Sequence, residues 1–120
     1  MSKNIDADLM NGLEAYKDHI INDYAQWKDN SAVAQRMMDE FRSSVEFSFA
    51  SKYVKIVTGT QRSAHSFVAL KDIPATKNTP AFKKGDILKA ASWAAPAKNF
   101  PRGNILTDKG KFPNVRWTGA

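Results

Sequence analysis

The sequence predicts an α+β fold, an N-terminal helical hairpin followed by a small, mostly antiparallel β-sheet of about four strands. Apolar residues in the first part of the chain recur at spacings of three and four, the period of an amphipathic helix. From Val45 onward they alternate with polar residues, the period of a half-buried strand. The links between strand candidates are too short for helical crossovers, so antiparallel pairing is expected. We therefore predict a single domain over 1–120, helical over 1–44 and basic and β-rich over 45–120.

Two amphipathic helices are expected before the sheet. The stripe of the first comprises Ile5, Leu9, Leu13, Tyr16, Ile20, Tyr24 and Trp27. Ser31 follows a turn and is the candidate N-cap of the second helix. That helix places Val33, Met37, Phe41 and Val45 on one face. These stripes must be covered by each other, by the sheet or by a second copy of the chain.

Strand candidates follow at 45–49, 53–57, 64–70 and 87–91, and the segment 114–117 follows a turn signal near the end. These segments are rich in β-branched and aromatic residues. The intervening segment 72–84 contains Pro74, Pro80 and three lysines, so it is expected to be an exposed loop. The sequence Lys84-Gly85-Asp86 is typical of a turn that leads into a strand.

An alanine-rich segment surrounds Trp93. Small residues let backbones approach closely, so we expect the Trp93 ring to be an anchor beneath a loop, with ligand contact as the alternative. Pro96 ends any regular element because it has no backbone N–H. A turn at 100–104, with Gly103 or Asn104 at positive φ, completes a rigid loop that presents Lys98 and Arg102.

Charge is divided unequally along the chain. Residues 1–50 carry five Lys/Arg and nine Asp/Glu, a net −4, whereas residues 51–120 carry thirteen Lys/Arg and three Asp, a net +10. Such asymmetry is typical of a face that binds a polyanion, although solubilising surface lysines give the same count. No apolar run approaches the ~20 residues of a membrane span, so no membrane partner is expected. The absence of cysteine excludes disulfides and thiolate sites.

Four short segments of the sequence resemble segments shared by a known group of proteins. Lys52–Val57 (KYVKIV), 61–68 (QRSAHSFV), 85–98 (GDILKAASWAAPAK) and 102–105 (RGNI) are similar to small bacteriophage proteins that share a YxKIV…RSxHSFV…GDxYKAASWxAPAK…RGN signature. The loop at 72–84 is longer than in those proteins, and the helical N-terminal half lies outside the shared pattern. The resemblance implies a phage origin and a small β-rich module, with the host cytoplasm as its location.

Catalytic patterns are weak, and we expect no enzyme, no cofactor and no metal site. His65, near Arg62 and Ser66, permits a ribonuclease-like arrangement, but a lone strand histidine is more often a hydrogen-bonded structural residue. His19 and Asp23 are four residues apart on the first helix, a spacing that also suits two ligands of one metal ion. Without a third ligand, an exposed helix pair is the expected arrangement.

Nucleic-acid binding is the favoured function. Cations interleave with aromatic residues in the basic part, and this combination suits a single strand read with little sequence specificity. The candidate cations are Arg62, Lys89, Lys98, Arg102, Lys111 and Arg116, and the candidate stacking rings are Trp93 and Trp117.

The alternative is a phage host-takeover or counter-defence role, in which the same basic surface binds a host protein or sequesters a phosphorylated nucleotide signal. In that case the N-terminal helices are the candidate interface of a homo-oligomer. Salt dependence and ligand size discriminate the two functions, since strand binding weakens steeply with salt and needs several nucleotides.

Overall fold

The computed structural model describes residues 7–25, 31–59, 62–98 and 100–107, together with residues 112, 115, 116 and 119. Its elements are the helices α1 (Ala7–Ala25) and α2 (Ala32–Ser44) and the strands β1 (Glu46–Phe49), β2 (Tyr53–Thr58), β3 (Ser63–Ala69), β4 (Asp86–Lys89) and β5 (Gly103–Asn104). Within the described residues the strands form one antiparallel sheet in the order β1-β2-β3-β4-β5. The predicted α+β class, with two N-terminal helices ahead of an antiparallel sheet, is confirmed.

Helix α1 packs its apolar stripe against one face of the sheet, here called the helix face. Five of the predicted stripe residues are buried, namely Leu9, Leu13, Tyr16, Ile20 and Tyr24. They share one core with Val54, Ile56, Val68 and Ile87 of the strands. Ile5 and Trp27 lie outside the described residues. The three- and four-residue spacing therefore identified the buried side of α1 correctly.

Helix α2 begins at the predicted cap, since the Ser31 hydroxyl accepts a hydrogen bond of 3.1 Å from the Ala34 amide. Its buried face differs from the prediction, because Val33 and Met37 are 60% and 40% exposed. Phe41 stacks on Tyr24 with ring centroids 4.2 Å apart. Phe41 belongs to two overlapping stripes, 33/37/41 and 34/38/41, and the structure buries the second.

The opposite face of the sheet, here called the loop face, carries a second small core. Phe67 and Leu88 pack there against Phe82, which is buried although it belongs to the segment predicted to be an exposed loop. Phe82 and Ile73 exchange backbone hydrogen bonds of 2.8 and 2.9 Å. The two prolines and three lysines of this segment indicated an exposed loop, but its apolar residues Ile73 and Phe82 pair and fold it back over the strands.

The far edge of the sheet is closed by contacts between the turn before β4 and the strand β5. Gly85 has a φ of 92°, and a Cβ added there would lie 2.8 Å from the Asn104 Oδ1 atom. Asn104 donates from Nδ2 to the Asp86 carboxylate at 2.9 Å. The predicted turn at 100–104 is thus partly strand, because Gly103 and Asn104 pair with β4. Gly103 has the expected positive φ, 153°.

Candidate functional site

A run of buried hydrogen bonds between side chains connects α1 to β3. The register between β2 and β3 shifts at Ile56/Val57, so that His65 is an extra residue in β3. A bulge of this kind re-aims side chains, and it brings His65 beside Ser66. The Ser66 Oγ atom lies 2.8 Å from His65 Nδ1 and 2.7 Å from the Tyr16 hydroxyl. All three side chains are buried in the core.

The described residues of the C-terminal segment, Phe112, Val115 and Arg116, lie over these hydrogen bonds. His65 Nε2 lies 2.6 Å from the Arg116 carbonyl oxygen, and His19 Nε2 lies 2.9 Å from that of Val115. A carbonyl only accepts, so Nε2 of His65 carries the hydrogen and Nδ1 accepts from the Ser66 hydroxyl. Phe112 meets the rings of Tyr16 and His19 edge-on, with centroids 5.3 and 5.2 Å away.

His65 is therefore the hydrogen-bonded structural histidine that the sequence favours. The pKa of its imidazole is lowered to about 4, mainly by burial, which outweighs the opposing hydrogen bond to the Arg116 carbonyl and is assisted by the nearby His19. The neutral ring is the form that this hydrogen-bond pattern requires. Arg62, its proposed catalytic neighbour, forms an ion pair with Glu46 on β1.

The expected exposed pair of His19 and Asp23 on α1 is wrong. Asp23 is buried, with 6% of its surface exposed, and its carboxylate lies 3.7 Å from the Arg116 guanidinium. His19 is partly buried under the C-terminal segment. No group of three or more His, Asp or Glu among the described residues is placed to hold a metal ion.

Residues 90–98, here called the Trp93 loop, fold into a tight turn beside β4. The amides of Ala91 and Ser92 both donate to the Ala95 carbonyl, at 3.0 and 3.1 Å, and the Ala97 amide donates to the Lys89 carbonyl at 2.7 Å. The alanines therefore allow the backbone to close on itself. They do not enclose the indole ring.

Trp93 is 51% exposed, so its prediction as an anchor beneath the loop is wrong. One side of the ring rests on Lys55, whose Nζ atom lies 3.6 Å from the ring centroid and donates to the Trp93 carbonyl at 3.1 Å. Lys55 alternates along β2 with the buried Val54 and Ile56, which places it on the loop face. This alternation is the signal by which Lys55 could have been added to the candidate site.

A second ring and cation follow the Trp93 loop. Phe100 is 54% exposed, and the Arg102 guanidinium carbon lies 4.0 Å from its centroid. The Arg102 amide donates to the Ile87 carbonyl at 2.6 Å, which fixes its backbone against β4. The Nε atom of Arg102 is buried and has no hydrogen-bond partner among the described residues.

The predicted cations fall into two groups. Lys89, Lys98 and Arg102 lie together along β4 and the segment hydrogen-bonded to it, and Lys89 and Lys98 are exposed. Arg62 is instead held by Glu46 at the opposite edge of the sheet, and Arg116 by Asp23 on the helix face. Lys111 and Trp117 lie outside the described residues. Lys89 pairs with Ser66, so its side chain is on the helix face, opposite Lys55 and Trp93. The candidate site is therefore the Trp93 loop, which includes Lys98, together with Lys55, Phe100 and Arg102.

No helix in the described parts of the chain is long and apolar enough to cross a membrane. Comparison with curated proteins and with solved structures finds no match. A family model does match, over residues 1–120, and it is described as a family of unknown function, DUF7717. The chain belongs to that family.

Proposed function

We propose that the protein binds single-stranded nucleic acid, with little sequence specificity, through the Trp93 loop and the neighbouring Lys55, Phe100 and Arg102. The observation that carries this proposal is the half-exposed indole ring of Trp93, held on the Lys55 ammonium group. Tryptophan side chains in monomeric proteins are usually mostly buried. Exposed aromatic rings are often part of a binding surface.

Two exposed rings, each with its own cation, suit a strand of unpaired nucleotides. Bases stack on aromatic side chains regardless of sequence, and each stack is worth about 1–3 kcal/mol. The cations beside Trp93 and Phe100 bring positive charge to the same place as the rings. A strand therefore meets two stacking surfaces, each with a positive charge beside it.

The loop is also held in shape before any ligand arrives. Backbone hydrogen bonds close it at Ala95 and tie Ala97 to Lys89, and Lys55 holds the Trp93 carbonyl. A ring that is already in place loses little conformational entropy on binding. Sequence-independent affinity then comes from preorganisation and charge, without base-specific hydrogen bonds.

The proposed setting is the cytoplasm of a bacterium infected by a phage, and its support is the resemblance of residues 52–105 to small bacteriophage proteins. We propose no catalytic reaction for this site. Capture of a phosphorylated nucleotide or of a host protein by the same surface is the competing function, and the experiment below separates the nucleotide from the strand.

The test is fluorescence anisotropy with labelled single-stranded DNA and RNA of about 12 nucleotides, within the usual range of site sizes. Trp93→Ala is expected to weaken binding roughly tenfold, since a tenfold change corresponds to about 1.4 kcal/mol and lies within the stacking range. Phe49→Ala is the matched control, because it removes an exposed ring from β1, away from the Trp93 loop.

Equal affinities for the wild-type protein and Trp93→Ala would overturn the proposal, as would a wild-type protein that binds neither strand. Binding of a mononucleotide at one site, with no affinity for either strand, would favour the nucleotide-sequestering alternative.

A further inference from the structure

We infer that Arg102 is the phosphate-binding arginine of this surface and that Arg62 and Arg116 take no part in binding, an inference that rests on the proposed function. All three arginines belong to the basic part of the chain, so the sequence alone gives them equal weight. The structure distinguishes them by the partners of their guanidinium groups.

Two of the three guanidinium groups are already occupied by carboxylates. Arg62 is ion-paired with Glu46, and Arg116 lies 3.7 Å from the buried carboxylate of Asp23. A phosphate would have to compete with these carboxylates for either guanidinium group.

Arg102 differs because its guanidinium has no carboxylate or carbonyl partner among the described residues. Its Nε atom is shielded from water and unpaired, while the residue as a whole is only partly buried. A charge that has lost part of its hydration and gained no counter-ion attracts an anion more strongly than a fully hydrated one.

The orientation of Arg102 suits a phosphate group. Its guanidinium stacks on Phe100 at 4.0 Å, and its backbone is hydrogen-bonded to Ile87. A guanidinium held in one plane presents its terminal amino groups as a fork, which matches two phosphate oxygens. Lys98 adds a compact, exposed charge four positions before Arg102.

The shared ligand chemistry is a phosphate oxygen pair, which a phosphodiester within a strand or the phosphate monoester of a free nucleotide both supply. The probes are therefore a 12-mer oligothymidylate without a terminal phosphate (about the usual site size), and adenosine monophosphate compared with adenosine. The strand without a terminal phosphate reports on the internal phosphodiester, and the pair of small probes reports on the monoester.

The central measurement is the dissociation constant of the oligonucleotide at several salt concentrations for Arg102→Gln, Arg102→Lys and Arg62→Gln. The Arg62 variant is the matched control, because it lowers the net charge by the same amount as Arg102→Gln. Arg102→Gln is expected to weaken binding by about tenfold and to reduce the slope of log affinity against log salt by about 0.7, the value for one phosphate contact on a single strand. Arg62→Gln should leave the slope unchanged.

Arg102→Lys should retain the slope but lose several-fold in affinity, because a lysine carries the charge without the planar fork. This variant also keeps the inference testable if Arg102→Gln fails to fold. Equal slopes and affinities for Arg102→Gln and Arg62→Gln would overturn the inference, and so would full affinity for Arg102→Lys.

The small probes separate failure of this inference from failure of the proposed function. Suppose that the wild-type protein binds no strand but prefers adenosine monophosphate to adenosine, and that Arg102→Gln loses that preference. The phosphate-binding role of Arg102 is then supported, and the proposed single-strand binding is overturned. If the wild-type protein binds the strand and the Arg102 variants match it, the inference falls and the proposed function stands. No binding of any probe would overturn both.

Discussion

The hydroxyl oxygens of Tyr16 on α1 and Ser66 on β3 lie 2.7 Å apart in the core, although the two residues are 50 positions apart in the sequence. Burial raises the pKa of the Tyr16 phenol, against the smaller opposing effect of its hydrogen bond to Ser66, so the phenol stays protonated and donates to Ser66. Because Ser66 in turn donates to His65 Nδ1, this contact connects the helix to the C-terminal segment through one run of hydrogen bonds.

Tyr16→Phe is expected to destabilise the protein by about 1–2 kcal/mol, because the Ser66 oxygen loses its buried donor. The double variant with Ser66→Ala should cost less than the sum of the two single changes, since both partners are then removed. Urea unfolding of the four proteins measures this coupling. Additive losses would show that the hydroxyl contact does not contribute to stability.

Acidification is expected to destabilise the fold through His65. Burial lowers its pKa to about 4 in the folded protein, against about 6.5 in an unfolded chain. The unfolded chain therefore takes up the proton first, so this stabilisation is complete above about pH 6.5 and is lost as the pH falls toward 4.

His65→Gln is the matching variant, because its amide can still donate to the Arg116 carbonyl but does not titrate. Between pH 7 and pH 4.5 the wild-type protein should lose about 2–3 kcal/mol more unfolding free energy than this variant. Denaturant titrations at the two pH values give the comparison. The same pH dependence in both proteins would exclude His65 as the cause.

Gly12→Ala is expected to destabilise the protein by about 1–2 kcal/mol, although alanine favours helices. A Cβ at Gly12 would lie 2.8 Å from the Ile105 carbonyl oxygen and 3.1 Å from its side chain, so α1 would have to move off the core. Asn11→Ala, on the exposed side of the same helix, should be neutral or slightly stabilising. Thermal melts of both variants measure the difference, and an unchanged Gly12→Ala midpoint would contradict the close approach.

Ser31→Ala should cost about 1 kcal/mol, because the Ala34 amide loses its capping acceptor at the start of α2. Ser43→Ala, at an exposed position of the same helix, removes a hydroxyl without removing a cap. Chemical denaturation of the pair tests the assignment. Similar stabilities for the two variants would show that the cap contributes little.

Lys55→Met is expected to loosen the Trp93 loop. The substitution keeps an apolar stem of similar length but removes the ammonium group from the indole ring and from the Trp93 carbonyl. Amide hydrogen exchange at Ala91 and Ser92 should become several-fold faster, because both donate inside that loop. Lys52→Met, an exposed lysine on the turn before β2, provides the control. Unchanged exchange would mean that the backbone turn alone holds the loop.

Periodicity predicted the elements of this fold that are long enough to show a period. Helix α1 buries the residues that its spacing indicates. Strands β2 and β3 were predicted from their β-forming residues, and β3 buries five consecutive residues because both faces of the sheet are covered there. Strand β5 has only two residues and no period to detect, and it is recognisable as a strand only through its pairing with β4. In α2 the sequence supports two stripes that share Phe41, and only the burial of Ala34 and the packing of Met38 on the core show which stripe is used.

The candidate site was predictable only in part, because its geometry depends on contacts between distant residues. Lys98 and Arg102 were chosen for their charge and belong to the segment that hydrogen-bonds to β4, whereas pairing with Ser66 puts Lys89 on the other face of the sheet. The ion pairs of Arg62 and Arg116 join positions that are not neighbours in the sequence, and residue types alone cannot show which cations have a carboxylate partner. The exposure of Trp93 was missed for a similar reason, since its supporting cation, Lys55, lies 38 positions away.

The contacts of the C-terminal segment with the core affect how the polypeptide folds during its synthesis on the ribosome. Phe112 and Val115 complete the core beneath α1, and the Arg116 carbonyl is the acceptor for His65. A nascent chain that already contains α1 and the five described strands still lacks these groups. The core around Tyr16 and His65 can therefore make all of these contacts only after Phe112, Val115 and Arg116 have left the exit tunnel, and until then the rings of Tyr16 and His19 lack their Phe112 neighbour.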